Sequence, residues 1–162
     1  MGTSTARARV IGIGNLLLGD EGVGVHVARF LADHPRRPGD VDVVDGGTGG
    51  FGLLAMMQGC GNLILVDATI DGRPPGTVRR IRPRYSRDFP PSLAAHDIGL
   101  KDLLDAFYLL GEVPDVVLYA VSIGGIQPMR TDLSPDVAVR VPDIAARILV
   151  DLGWRQPRPV TS

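Results

Sequence analysis

Four short apolar runs, Ala8–Ile13 and residues 41–44, 63–66 and 116–121, are rich in β-branched residues and nearly uninterrupted by polar ones. That is the pattern of strands covered on both faces in a parallel sheet. Between them the apolar spacing changes to that of helices. Residues 22–32 predict a helix with Val23, Val27 and Phe30 on one face, 51–58 a shorter one, and Leu100–Leu110 a third. A fourth opens at Ser134-Pro135: Ser134 can cap, Pro135 fits the first turn, Val139, Ala146 and Leu149 lie near one face, and Pro142 is placed to interrupt the early turns. Strand and helix alternate, which predicts one α/β domain over residues 1–162, three layers deep (α/β/α) with right-handed crossovers and a core at about 8–153. Residues 77–82 carry charge on both sides and belong on a sheet edge. The tail 156–162, with two prolines and no apolar period, is expected to be disordered.

The first strand runs into Gly12-Ile13-Gly14-Asn15-Leu16-Leu17-Leu18-Gly19-Asp20-Glu21-Gly22, a glycine turn ending in two carboxylates. A dinucleotide fingerprint needs glycine three residues after Gly14, where this chain has Leu17, and Asp20 and Glu21 put negative charge where phosphate would sit. A helix N-terminus favours such carboxylates through its free N–H groups and dipole. Asp20 is expected to cap the first helix. The turn therefore reads as holding a carboxylate for a metal or a proton.

The chain has 162 residues, 44% of them hydrophobic, and a formal charge of −1. That length supports one sizeable core, and the near-zero charge argues against a general nucleic-acid partner. No apolar run reaches a membrane span and residues 1–9 contain no signal-peptide apolar region, so a cytoplasmic protein without a membrane partner is expected. Cys60 is the sole cysteine, which excludes a disulfide framework and a thiolate zinc site. Positive charge gathers at Arg79, Arg80, Arg82, Arg84 and Arg87, either as a solvated edge or as a surface for an acidic or peptide partner.

Ligands of open α/β sheets bind at the carboxyl ends of the parallel strands. Three acids fall there: Glu21 after strand one, Asp45 at the end of strand two in Asp45-Gly46-Gly47-Thr48, and Asp67 at the end of strand three. His96 precedes the third helix and can fold over the same edge. Glu21, Asp67 and His96 form an O/O/N set suited to nickel, zinc, iron or manganese. Spacing alone does not single out that use, because Asp at a strand end also serves as a turn or helix cap and His before a helix as a surface residue. His26 and His34 read as surface residues. The glycines of 46–50 permit close backbone approach, so that N–H groups there could hold an extended peptide or an oxyanion. No zinc-protease His-Glu-x-x-His, Gly-x-Ser-x-Gly elbow or P-loop occurs.

Four blocks in order resemble the hydrogenase maturation proteases, endopeptidases that trim the C-terminal extension of the nickel–iron hydrogenase large subunit. They are Gly12-x-Gly14-Asn15-x-Leu17-x-x-Asp20-Glu21-Gly22-x-Gly24, Asp45-Gly46-Gly47-Thr48, Val66-Asp67-Ala68 and His96-Asp97-Ile98-Gly99-Leu100. The resemblance implies a five-stranded mixed sheet of order 2-1-3-5-4 with strand four antiparallel. It implies a metal site at Glu21, Asp67 and His96, with Asp45 beside it as candidate general base or substrate-positioning group. Many family members carry aspartate where this chain has Glu21. It further implies that the metal is nickel supplied by the precursor, although other divalent ions suit the same donors, and that cleavage follows nickel insertion. Gly46, Gly47, Thr48, Arg84 and Arg87 are the expected contacts to the precursor. The segment 71–95, with its arginines and paired prolines, is expected to be mobile and to close over that precursor. The sequence does not fix the oligomeric state, and a monomer is the default expectation.

Three rivals remain. A peptidyl-tRNA hydrolase shares the opening strand and Gly-x-Gly-Asn turn, but its Pro-Gly and His-Asn continuation is missing. An NAD-dependent enzyme would use Asp45 on the ribose, against Leu17 and the acidic pair. A nickel-binding maturation chaperone would use the same three ligands without cutting.

Overall fold

The structure, a computed structural model, describes residues 6–48, 51–84, 88, 100–111 and 113–153. In chain order these form β1 (Ala8–Ile13), a 3-10 turn (Gly19–Gly22), α1 (Val23–Ala32), β2 (Val41–Gly47), α2 (Phe51–Met57), β3 (Asn62–Thr69) and β4 (Val78–Ile81). There follow α3 (Leu100–Leu110), β5 (Asp115–Ser122), α4 (Pro135–Ala138) and α5 (Arg140–Asp151). The sheet has five strands in the order β2-β1-β3-β5-β4. All neighbours are parallel except β4, which runs antiparallel to β5. The two-sided charge of β4 is thereby accommodated at an edge.

Side-chain alternation divides the core between the two faces. Val10, Val66, Tyr119 and Val121 face α1 and α5, where Val23, Val27, Leu31, Ile144 and Ile148 close the layer. Ile11, Ile13, Leu65 and Leu118 face the opposite side and meet Leu53, Met57 and Phe107 of α2 and α3. Each such side chain that is fully buried contributes about 2 kcal/mol relative to an exposed one. On α1 it is Leu31 that completes the apolar face, while Phe30 is half exposed and lies tilted against His34.

The predicted fourth helix is two. Pro142 has no N–H to give the carbonyl of Ala138, and its ring crowds that carbonyl, so the chain breaks at Val139 and a new helix begins at Arg140. The restart resets the helical phase. Val141, Ile144, Ala145, Ile148 and Leu149 are the buried face, whereas Val139 and Ala146 are exposed. Ser134 occupies the N-cap of α4 but makes no side-chain cap. The tail 156–162 and most of 85–95 lie outside the described residues.

The close seating of α1 on the sheet positions the site. A Cβ on Gly24 would come within 2.2 Å of the Val66 carbonyl oxygen and 2.3 Å of that of Ile13, and one on Gly12 would fall 2.1 Å from the Gly24 oxygen. Glycine at both places lets the helix start against the ends of β1 and β3.

Candidate functional site

The carboxyl edge of the sheet gathers the polar groups that are buried without being part of the apolar core. Glu21 is 2% exposed, Asp67 0% and Asp20 3%. Glu21 stands on the 3-10 turn that joins β1 to α1, and the turn packs on β3. Its Oε2 accepts the Asn15 N–H at 2.5 Å, while Asn15 Oδ1 accepts the Leu17 N–H at 2.9 Å. Asn15 thus folds the glycine loop around the acid. At Gly14 the backbone has φ +149°, and a Cβ there would lie 2.3 Å from the Glu21 carbonyl oxygen. Loop and acid are therefore in direct contact.

Asp67 sits one residue past Val66, which pairs with Gly12. Val66 and Ala68 belong to the core on the α1 side, so alternation sends the Asp67 carboxylate to the opposite face with Leu65. Its Oδ1 accepts the Ala68 N–H at 2.8 Å.

Asp45 pairs in register with Gly12 but lies on the edge strand. Two strand spacings separate the Asp45 and Asp67 backbones, about 10 Å. Val41 and Val43 place the Asp45 side chain on the α1 face, where Arg29 approaches to 3.7 Å. Its Oδ1 accepts the Gly47 N–H at 2.9 Å, and the Gly47 carbonyl accepts the Gly14 N–H at 2.8 Å. The register slips between Gly12 and Ile13, leaving Gly46 as the extra residue of a bulge. Gly46 is buried and Thr48 exposed. In this arrangement the Gly47 N–H serves Asp45 rather than standing open to a peptide.

His96 and Arg87 lie outside the described residues. Among the described residues no three His, Cys, Asp or Glu side chains form a metal-sized group. Glu21 and Asp67 are both buried hard oxygen donors at the carboxyl edge, the donor type that suits a divalent cation, and they fit a partial donor set for a metal that carries other ligands.

The arginines divide. Arg80 pairs with Asp151 at 2.9 Å and Arg79 with Asp71 at 3.1 Å, whereas the Arg84 backbone N–H bonds Asp88. Asp71, just beyond β3, also accepts from Arg73 at 2.8 Å and from Ser122 Oγ at 3.1 Å. Burial pushes its pKa up, but the Arg73 side chain and N–H and the Ser122 hydroxyl outweigh that and hold it below the usual carboxylate value. His26 Nε2 is 3.1 Å from the Thr131 carbonyl, and His34 Nδ1 accepts the Arg36 N–H.

Asp20 does not cap α1. Its Oδ1 accepts the Ser134 N–H and its Oδ2 the Ser134 hydroxyl, each at 2.7 Å, and its own N–H reaches Gln127 Oε1 at 2.9 Å. Sequence reasoning missed Ser134 and Gln127 as partners of this turn. They lie over a hundred positions away, and no local pattern marks them.

Residues 25–151 match a family model described as hydrogenase maturation protease. That span includes Asp45, Asp67 and His96 and begins after Glu21. The hydrogenase 2 maturation protease of Escherichia coli K12 is 32% identical over 149 residues, covering 90% of each chain. The hydrogenase expression/formation protein HupM of Azotobacter chroococcum is 34% identical over 157 residues, covering 89% of this chain and 74% of its own. Among solved structures, the hydrogenase maturating endopeptidase HybD from E. coli superposes with a TM-score of 0.79 at 31% identity, covering 91% of this chain and 92% of that one.

Proposed function

This chain belongs to the hydrogenase maturation protease family and is an endopeptidase, and from that premise we propose that it removes the C-terminal extension of a nickel–iron hydrogenase large-subunit precursor after nickel insertion. The observation that carries the metal part of this reading is the pair of buried acids, Glu21 and Asp67, at the strand edge where α/β folds bind ligands. Burying two carboxylates is costly unless a cation or hydrogen bonds compensate, and such groups mark functional sites.

In this reading Glu21 and Asp67 supply oxygen and His96 nitrogen to nickel held by the precursor. The three side chains then gain a strong interaction only with a loaded substrate, which makes metal insertion a checkpoint. His96 must be neutral to ligate, so engagement weakens as pH falls through the histidine range. Asp45 stands about two strand spacings from Asp67 along the carboxyl edge, with its side chain on the α1 face, so that a peptide laid across that edge would meet both. There it orients the scissile segment or takes a proton from the attacking water. Exposed Thr48, with Arg84 and Arg87, supplies the proposed contacts to the extension, while Gly46 and Gly47, the latter with its N–H on Asp45 and its carbonyl on Gly14, shape the loop beneath it. No helix among the described residues is long and apolar enough to cross a membrane.

The test is to incubate the protein with nickel-loaded and nickel-free precursor and measure the masses. Loss of the extension from the loaded form alone is expected. Nickel binding without mass loss would leave a maturation chaperone.

A further inference from the structure

Glu21 has a neighbour that is as buried as itself and points elsewhere. Asp20 is 3% exposed, and both its carboxylate oxygens and its N–H are engaged by the connection between β5 and α4. In a 3-10 turn, with three residues per turn, successive side chains diverge by about 120°. Asp20 accordingly reaches Ser134 while Glu21 reaches Asn15. The same connection grips the turn by its backbone: the Gly19 N–H donates to Arg130 at 2.7 Å, the Arg130 N–H to Leu17 at 3.2 Å and the Gln127 N–H to Leu18 at 3.2 Å. A Cβ on Gly19 would strike Gln127 Oε1 at 2.4 Å, so the turn and the connection are packed face to face.

We propose that Asp20 is a positioning residue for Glu21: through its two hydrogen bonds to Ser134 it fixes the 3-10 turn, and thereby sets the geometry with which Glu21 meets the precursor's nickel. This rests on the reading of Glu21 as a ligand. Asp20 acts by hydrogen-bond geometry and not by charge. An asparagine at this position could still accept the Ser134 N–H through its amide oxygen and donate to the Ser134 hydroxyl. Ligand misplacement of a few tenths of an ångström is enough to degrade such a site.

The experiment compares wild type, Asp20→Ala, Asp20→Asn, Ser134→Ala and Glu21→Gln. Each is tested for single-turnover cleavage of nickel-loaded precursor and for calorimetric binding of nickel(II) chloride to the free protein. Expected are a tenfold or larger loss of rate and weaker nickel binding for Asp20→Ala, a several-fold loss for Ser134→Ala, and both readouts within twofold of wild type for Asp20→Asn. Rescue by Asn is what a loss of charge would not give, and weaker nickel binding measured at temperatures where Asp20→Ala is fully folded is what a general loss of stability would not give. If Asp20→Ala fails to fold, Asp20→Asn and Ser134→Ala decide. Wild-type rates in Asp20→Ala or Ser134→Ala, or an Asp20→Asn as poor as the alanine, would overturn the proposal. A Glu21→Gln variant that cleaves normally would instead overturn the reading of the site and the proposal with it.

Discussion

A carboxylate of Glu21's kind is informative because so little of it faces water. Replacing Glu21 with Gln keeps the shape and an oxygen to accept the Asn15 N–H, so the loop should hold. What is lost is the negative charge that a cation requires. Single-turnover cleavage should fall on the order of 100-fold or more, beyond what supporting groups around a metal usually contribute, while the urea midpoint stays at or above wild type. Asp45 is the contrasting case. Its side chain is 44% exposed, and asparagine could still accept the Gly47 N–H, so Asp45→Asn should fold normally. Cleavage should nonetheless drop, and a normal rate would exclude Asp45 as the base. The placement of Glu21, Asp45 and Asp67 at the carboxyl edge was legible because strand ends can be read from apolar runs. Asp20 was visible as an acid but not by its role. Whether an Asp caps its own helix or bonds a distant serine is decided by tertiary approach, which leaves no trace in neighbouring residues.

Elements were legible to the extent that their apolar period is unbroken. The strands and Leu100–Leu110 emerged from uninterrupted patterns, and the edge position of β4 followed from charge on both its sides. The face of the last helix was misread because a phase counted from Ser134 does not survive the break before Pro142. The loop between β3 and β4 had no periodicity to read, yet it is tied to the sheet by Asp71, which joins Arg73, Arg79 and Ser122. That cluster gives a pH signature with a definite sign. The unfolded carboxyl titrates near about 3.9, and the folded one lies lower. Its contribution is therefore complete above the unfolded value and disappears as pH falls through the folded value. Asp71→Asn should destabilise at pH 7 and by progressively less below pH 4. Urea titrations of both proteins at pH 7 and pH 3 check this, and an equal difference at the two pH values would assign the effect to packing instead.

On the scale of the molecule the two edges of the sheet have separate work. The carboxyl edge carries Glu21, Asp67 and the glycine loops, whose burial of charge makes sense for a ligand. At the opposite edge, charges bond one another and tie helices to strands. Arg7 bonds Asp40 and the Leu152 carbonyl, and Asp151 accepts two bonds from Arg80 and one from the Tyr119 hydroxyl. Tyr119 is fully buried on β5, and burial together with Asp151 raises its pKa, so it remains a neutral donor. Asp151→Ala would strand that hydroxyl inside the core, at a cost of about 2 kcal/mol for an unsatisfied buried group. In a domain of this size that corresponds to roughly 4–8 °C in Tm. The end of α5 lies away from the candidate acids, since Asp151 lines a groove with Arg7, Ala8, Asn62 and Asp115 at the amino ends of the parallel strands, even though the backbone of Tyr119, whose hydroxyl it bonds, pairs with Val66. Asp151→Ala should therefore melt earlier yet cleave nickel-loaded precursor within about twofold of wild type at temperatures where it is folded. Calorimetry and single-turnover assays on one preparation separate the two effects. A cleavage rate that falls while the melting point holds would mean that the edges are coupled through the sheet.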